Sequence, residues 1–204
     1  DFLTSLNLTF FLFKVLLYKY SSKHITSLVI KIEWFKIAIF LASASRGKLS
    51  LEDIKIPKEI INKYKFIPHD SSDESQSIYI GVTKSNTQVR INKELISYDL
   101  KIGIDIIRPH LFAVFTGGGQ IILPGLASKS TIDKNHSMRV KETCVAGSIE
   151  ENVVKKDMNE ASEFVDNLFV INSVLTRNDE FFGICAGSAT DAFLRGVKIA
   201  KSLY

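Results

Sequence analysis

The central stretch of this chain reads Pro109-His110-Leu111-Phe112-Ala113-Val114-Phe115-Thr116-Gly117-Gly118-Gly119-Gln120-Ile121-Ile122-Leu123-Pro124-Gly125. It links a histidine to three consecutive glycines, and a second histidine, His136, follows in the next segment. Glycines lack a Cβ atom, so their backbone can approach a ligand closely. Successive amides in such a loop can form an anion-binding concavity. The stretch therefore predicts a ligand site that the two histidines face together.

A buried strand leads directly into this stretch. Residues 100–107 form a nearly continuous apolar run, as do residues 36–42, which is typical of parallel strands covered on both faces. His110 follows the first of these runs, at its carboxyl end. Ligands of open α/β sheets bind at the carboxyl ends of strands, so His110 has the position of a site residue.

The rest of the chain alternates between strand and helix patterns. Strands are also predicted at residues 25–32, 66–69, 77–82, 88–91, 168–175 and 180–185, and helices at 9–20, 57–64, 93–98, 128–136, 151–165 and 190–203. This order predicts an α/β fold with a mostly parallel sheet flanked by helices.

Composition excludes several classes of protein. The chain of 204 residues is 46% hydrophobic and 24% charged, with a net charge of +4 and scattered lysines, so no nucleic-acid stripe is present. The apolar run at residues 2–17 is interrupted by Asn7 and Lys14 and is too short for a membrane span of about 20 residues. Cys144 and Cys185 lack zinc-site spacing, which favours two reduced thiols in a cytoplasmic protein.

Each candidate residue also has a plain structural interpretation. His110 is a proton-transfer group or a structural histidine, and His136 is a metal ligand or a surface histidine near a helix end. Arg46, in the loop after residues 36–42, meets an anion or is simply exposed. His69 and Asp70 are interpreted as loop and turn residues.

The central stretch resembles that of the nickel-dependent lactate racemase family. The shared residues are Pro-His-x-Phe-Ala-x-Phe-x-Gly-Gly, then Ile-Leu-Pro-Gly, then Thr131-Ile132 and Asn135-His136. The resemblance runs from about Ile37 to the end of the chain. Further matches in the same order are Gly81-Val82-Thr83, Val89-Arg90-Ile91-Asn92, Asn152-Val153-Val154, Asp157-Met158 and Ala186-Gly187.

The resemblance implies a 2-hydroxy-acid racemase that uses a nickel pincer nucleotide. His136 matches the family's nickel ligand, and His110 matches one of its two acid–base histidines. The cofactor-binding loop corresponds to Gly117, Gly118, Gly119 and Gln120. The implied partner is a small lactate-like 2-hydroxy acid, with no nucleic acid and no membrane.

Two positions depart from the family pattern. The lysine that tethers the cofactor is Gln120 here, and an amide has no nucleophilic amine. The second acid–base histidine is replaced by Arg46, whose guanidinium stays protonated and is instead expected to pair with a substrate carboxylate. By the same resemblance, residues 1–145 correspond to the N-terminal domain with the site, and residues 146–204 to the beginning of a second α/β domain.

Three functions are consistent with these residues. The first is a lactate racemase relative with a noncovalent or altered cofactor. The second is a non-catalytic or truncated homologue that keeps the fold without the chemistry. The third is a module whose glycine loop binds a nucleotide or another anion without turnover.

Overall fold

The computed structural model describes residues 37–49, 56–140 and 151–204. The helix predicted at 9–20, the strand predicted at 25–32 and Cys144 lie outside these ranges. The chain divides into two compact units, Asp1–Leu41 with Ser50–Ile67, and Ala42–Leu49 with Pro68–Tyr204.

The described part of the first unit is small. It comprises strand β1 (Ala38–Leu41), helix α1 (Lys58–Lys63) and strand β2 (Lys65–Pro68), and β1 pairs with β2. Pro57 immediately precedes α1, where a missing N–H costs no helical hydrogen bond. All three elements were predicted within about two residues.

The second unit contains the central stretch. Its strands are β3 (Ser77–Val82), β4 (Gln88–Asn92), β5 (Lys101–Ile107), β6 (Pro109–His110), β7 (Val114–Phe115), β8 (Leu168–Leu175) and β9 (Phe181–Gly187). Its helices are α2 (Lys129–Ser137), α3 (Val153–Glu163) and α4 (Ala189–Ala200). Short 3-10 helices cover Ala44–Arg46, Glu74–Gln76, Lys93–Ser97, Gly118–Ile121 and Met138–Val140.

A three-stranded sheet in the order β5-β8-β9 forms the centre of this unit. β5 and β8 are parallel, in a register that runs from Lys101 opposite Leu168 to Ile107 opposite Val174. β9 is antiparallel to β8 because only a short turn separates the two strands.

The fold class is α/β, as predicted, although the strands are not mostly parallel. Among the strands that the structure describes, β3 and β4, β6 and β7, and β8 and β9 pair antiparallel. Each of these pairs is consecutive in the chain, and short connections favour hairpins over crossovers. The continuous apolar character of β5 and β8 reflects burial, which does not determine the direction of the other strands.

Helices α2, α3 and α4 begin at side-chain caps, and α4 packs its apolar face on the sheet. Asn152 caps α3, with its Oδ1 accepting from the N–H of Lys155 at 2.8 Å, and Ser188 caps α4. One apolar cluster joins α4 to the sheet and the central stretch, and it contains Ile107, Val114, Phe115, Val174, Phe193, Val197 and Ala200. A Cβ at Gly196 of α4 would lie 2.8 Å from Ile107, so this close packing needs a glycine there.

Residues on both sides of position 145 build the central sheet, because β5 precedes it and β8 and β9 follow it. The predicted domain boundary at 145 stays a prediction. Among the described residues, none of the helices has the length and apolar character needed to cross a membrane.

Candidate functional site

His110 lies in a narrow turn at the end of β5. β6 pairs antiparallel with β7, so that His110 is opposite Val114. The Nδ1 atom of His110 accepts a hydrogen bond from the backbone N–H of Ala113 at 3.3 Å. Since Nδ1 accepts, the neutral ring carries its proton on Nε2, as assigned from the hydrogen bond. The turn therefore holds the ring in one tautomer.

Val114 has an unusual backbone conformation in the same turn. Its φ is +63°, and its side chain is 6% exposed. A β-branched residue at positive φ is a steric outlier, and such strain costs on the order of 1–3 kcal/mol. Packing against Ile107, Phe115 and Phe193 keeps Val114 in place. The turn that carries His110 is thus held by the core rather than by local preference.

Phe112 brings the two predicted histidines together. Its ring centroid lies 4.6 Å from that of His110 at an interplanar angle of 85°, and 5.2 Å from that of His136 at 75°. Both contacts are edge-to-face, the arrangement that aromatic rings favour. His136 comes from the last turn of α2, so the shared ring joins two separate elements.

Both histidines have lowered pKa values. Burial lowers the pKa of His110, and the positive charge of Lys155 lowers it further. Burial also lowers the pKa of His136. The charges of Arg139 and His110 lower it further, and the charge of Asp133 raises it in part. The neutral form is therefore favoured at neutral pH, and neutral imidazole is the form that binds metals.

The glycine loop is occupied by the protein's own side chains. The N–H of Gly117 donates to Oε1 of Gln120 at 3.0 Å. The N–H of Gly118 donates to Oδ1 of Asn172 at 3.2 Å, and the N–H of Gly119 to Oδ1 of Asn159 at 3.4 Å. An anion that used these amides would have to displace three side-chain oxygens.

Packing explains why glycines occupy this loop. Gly118 has φ +62°, and a Cβ there would lie 2.7 Å from the Cβ of Phe193 on α4. A Cβ at Gly119 would collide with the carbonyl oxygen of Met158 on α3. The loop passes closely between two helices, and side chains larger than hydrogen would separate it from them.

Lys155 of α3 is a buried charge beside this loop. Its side chain is 1% exposed, and Nζ donates to the carbonyl oxygen of Gly117 at 2.6 Å. Nζ also lies 3.8 Å from the centre of the Phe193 ring. Burial lowers the pKa of Lys155 to about 7, although the carboxylate of Asp105 opposes this shift.

Asp105 and Asn172 are polar residues of the central sheet near the glycine loop. The two residues are opposite each other in the parallel pair of β5 and β8. Burial raises the pKa of Asp105, while the N–H of Ile106 and the charge of Lys155 lower it. Asn172 is fully buried, and its Nδ2 has no hydrogen-bond partner among the described residues.

A second buried network fixes α2 next to α3. The carboxylate of Asp157 accepts hydrogen bonds from the hydroxyl of Thr83, from Thr87 at 2.9 Å and from Nδ2 of Asn135 at 2.7 Å. Asn135 immediately precedes His136. The network therefore contributes to the placement of the predicted nickel ligand.

The remaining candidate residues lie on other elements than the two histidines. Arg46 is exposed in its 3-10 helix, which joins the central stretch through a hydrogen bond from the N–H of Ala44 to the carbonyl of Gly125 at 3.3 Å. His69 is 1% exposed and bonds the carbonyl of Ala127 through Nε2 at 2.8 Å. That contact agrees with the interpretation of His69 as a structural loop residue.

Sequence reasoning missed the buried polar residues that support the loop. Asp105 and Asn172 interrupt otherwise apolar strands, and Lys155 lies beside the apolar stripe of α3 that includes Val154 and Met158. A polar residue within a buried segment is a signal for a site or a network, because its burial must be compensated. The signal was present but does not indicate which partner each residue meets.

The described residues supply few metal ligands of their own. They contain no group of three or more His, Cys, Asp or Glu side chains that would hold a metal ion. His136 by itself offers one imidazole, so any metal here would need its other donors from a bound molecule.

Comparison with known proteins gives a consistent family. A sequence model described as the lactate racemase N-terminal domain matches residues 20–147. The lactate racemase of Lactiplantibacillus plantarum is 33% identical over 172 residues, which is 82% of this chain and 41% of that protein. The lactate racemase of Thermoanaerobacterium thermosaccharolyticum is 28% identical over 171 residues, 82% of this chain and 40% of that protein.

Solved structures agree with the sequence comparison. The apoprotein of the Thermoanaerobacterium thermosaccharolyticum lactate racemase superposes with a TM-score of 0.78 at 27% identity, covering 82% of this chain and 41% of that one. A Thermotoga maritima protein shares the fold, with a TM-score of 0.70 at 20% identity over 82% of this chain and 47% of that one.

The family match extends over more than half of the sequence and includes both histidines and the glycine loop. The chain spans about two fifths of the length of the curated lactate racemases that it matches. The chain therefore belongs to the family defined by the lactate racemase N-terminal domain.

Proposed function

We propose that this chain carries the cofactor and acid–base site of a lactate racemase-like enzyme. The substrate would be a small 2-hydroxy acid, and the reaction would invert its C2 centre. The curated relatives are lactate racemases, and the substrate class is taken from them. We further propose that the protein is cytoplasmic and that residues 1–145 carry the two histidines and the glycine loop of the site.

One observation supports the proposal above all others. His110 and His136 contact the same ring, that of Phe112, at 4.6 Å and 5.2 Å between centroids. Two imidazoles with lowered pKa values at one place can hold a metal and exchange a proton near neutral pH. The proposed nickel-dependent racemisation needs both abilities.

His110 would be the acid–base residue. With Nδ1 accepting from Ala113, the neutral ring presents an N–H at Nε2, which can donate a hydrogen bond to a substrate oxygen, whereas transfer of a proton to that oxygen needs the imidazolium form. To accept a proton at Nε2, the ring would have to exchange that hydrogen bond so that Nδ1 carries the hydrogen. General acid–base catalysis of this kind contributes roughly 10²–10⁴-fold.

Arg46 would bind the substrate carboxylate. A guanidinium pairs with a carboxylate through two parallel hydrogen bonds and does not exchange protons near neutral pH. Its exposure leaves its donors available to a ligand. Arg46 would thus orient the acid but leave His110 as the main proton carrier.

The donor set fits a nickel nucleotide that is bound without a covalent tether. His136 would supply an imidazole to nickel, and the cofactor itself would supply the remaining donors. When bound, the cofactor would accept and return the hydride from C2. Gln120 has no amine, and its Oε1 already accepts from Gly117, so attachment at this position is chemically excluded.

A non-catalytic homologue is the second candidate. It is favoured by the three glycine amides, each of which donates to a side-chain oxygen of the protein. A loop that is complete without a ligand suits a protein that keeps the fold and has lost the cofactor. The same observation weakens the third alternative, an anion-binding module built on these amides.

Coexpression with cofactor-synthesis enzymes separates the two candidates. The longest available reading frame is purified, and nickel and nucleotide are measured by native mass spectrometry, with a His136→Ala variant as control. Near-stoichiometric nickel that the variant loses, with released rather than covalently bound nucleotide, supports the enzyme. Absence of both nickel and nucleotide in the wild-type protein refutes it and leaves the non-catalytic homologue.

A further inference from the structure

The N-cap and first turn of helix α3 hold two points of the loop that follows His110, at Phe112 and at Gly117. At the first point, Nδ2 of Asn152 donates to the carbonyl oxygen of Phe112 at 2.7 Å. At the second point, Nζ of Lys155 donates to the carbonyl oxygen of Gly117 at 2.6 Å. Asn152 is 0% exposed and Lys155 is 1% exposed, so both donor side chains are shielded from water.

The segment between these two anchors is strained. Val114 lies between Phe112 and Gly117 with φ +63°. Strained backbone persists only where its surroundings hold it, and here the two anchors come from a single helix turn. Loosening one anchor is therefore expected to change the path of the loop.

The Lys155 contact differs from the Asn152 contact because the side chain of Lys155 is ionisable. Asp105 on β5 is the charged group that acts on Lys155, and Lys155 in turn lowers the pKa of His110 on β6. On α4 the contact is the uncharged ring of Phe193, and on the glycine loop it is the carbonyl of Gly117. Burial dominates the balance and lowers the pKa of Lys155 to about 7.

We propose that Lys155 is a positioning residue whose protonation state sets the geometry of the loop from His110 to Gly117. An ammonium donor makes a shorter and stronger hydrogen bond to a carbonyl than a neutral amine does. When Lys155 is protonated, the Gly117–Gly118 peptide is held firmly. When Lys155 loses its proton, its hydrogen bond to the Gly117 carbonyl weakens, and the strained segment between Phe112 and Gly117 relaxes. The link to catalysis rests on the proposed function of His110, whereas the loop response does not.

The Gly118 amide reports this change directly. Its nitrogen belongs to the same peptide unit as the Gly117 carbonyl that Lys155 contacts. Its hydrogen is bonded to Oδ1 of Asn172, which keeps its environment otherwise constant. The test is a pH titration of the Gly118 ¹⁵N amide shift by NMR, on the full chain without cofactor.

Wild-type protein is expected to show a titration of Gly118 with its midpoint near pH 7. Lys155→Met should abolish it, and Lys156→Met should preserve it, because Lys156 is the exposed neighbour on the same helix. Should Lys155→Met not fold, Lys155→Arg keeps the charge and should also abolish the titration. A His110→Gln variant should retain it.

Two results would overturn the proposal. One is a Gly118 shift that does not titrate near neutrality in the wild-type protein. The other is a titration that survives in the folded Lys155 variant or disappears in His110→Gln, which would assign it to another group. In cofactor-loaded protein, Lys155→Arg should also change the pH profile of racemisation. Because the NMR signal needs no cofactor, absent racemisation with an intact Gly118 titration would refute the proposed function alone.

Discussion

Asn172 accepts a hydrogen bond at Oδ1 from the backbone N–H of Gly118, at 3.2 Å, in the interior of the protein. Asn172 lies in the middle of β8, and Gly118 begins a 3-10 helix after the histidine turn. The contact ties the glycine loop to the central strand of the sheet. It also occupies an amide that the sequence pattern assigns to a ligand.

Asn172→Ala is expected to destabilise the protein by about 1–3 kcal/mol, because it leaves the Gly118 amide buried without an acceptor. Urea unfolding measures the loss. Asn178→Ala is the matched control, since Asn178 is exposed in the turn after β8. Equal stability of Asn172→Ala and the wild type would show that water or another group replaces the contact.

Lys155 should make the free energy of unfolding increase as the pH rises above about 7. Its pKa is about 7 in the folded chain and about 10.5 when exposed, so between these values the unfolded chain binds more protons. Stability then rises with pH across this window, and the cost of the buried charge is fully present below it. Chemical denaturation of wild type and Lys155→Met at several pH values should give a flatter profile for the variant. Identical slopes would contradict the assignment.

Val114→Gly should be less destabilising than Val174→Gly. Both valines belong to the same buried cluster, so both variants lose similar apolar contacts. Only at position 114 does glycine also relieve a positive φ, which Val114 holds at +63°. Thermal unfolding of the two variants compares them directly, and a larger loss for Val114→Gly would argue against backbone strain in the turn.

Phe112→Ala should raise the pKa of both His110 and His136 towards the ordinary value of 6.5. Burial is the largest cause of both lowered values, and removing the ring that both histidines contact admits water. Histidine ring titration by NMR follows each residue separately. Phe169→Ala on β8 serves as the control and should leave both pKa values unchanged. Unchanged values in Phe112→Ala would mean that other residues bury the two rings.

Gln120→Lys tests the departure from the family pattern. The variant restores an amine at the position of the family's tethering lysine. Under the proposed function the wild type binds the cofactor noncovalently, so the variant should instead hold it covalently. Intact mass measurement after denaturation distinguishes the two states. Gln120→Met is the control, because it too removes the acceptor of the Gly117 amide but provides no amine. Retention in neither variant would show that an amine at position 120 is not sufficient for attachment.

The sequence predicted most elements of the second unit well. β3 and β8 have the predicted bounds, and α2 begins within one residue of its predicted start. Apolar periodicity and capping residues are local signals, and local signals determine where strands and helices form. Strand direction was predicted less well, because it depends on which segments meet.

The same difference between local signals and long-range contacts applies to the site. The sequence motif places His110, His136 and the glycines in one stretch. It did not reveal that Asn172 and Asn159 occupy two of the glycine amides, nor that Lys155 holds the Gly117 carbonyl. These partners lie far away in the chain and meet only when α3 and β8 pack against the loop.

By itself, the sequence determined the family, the α/β class, most element positions and the absence of an amine at position 120. These properties are carried by residue identity and local spacing. Tertiary structure alone decided that Phe112 joins the two histidines and that Lys155 is a buried charge with a lowered pKa. The physical reason is that burial and long-range hydrogen bonds arise from packing between distant segments, which no local pattern encodes.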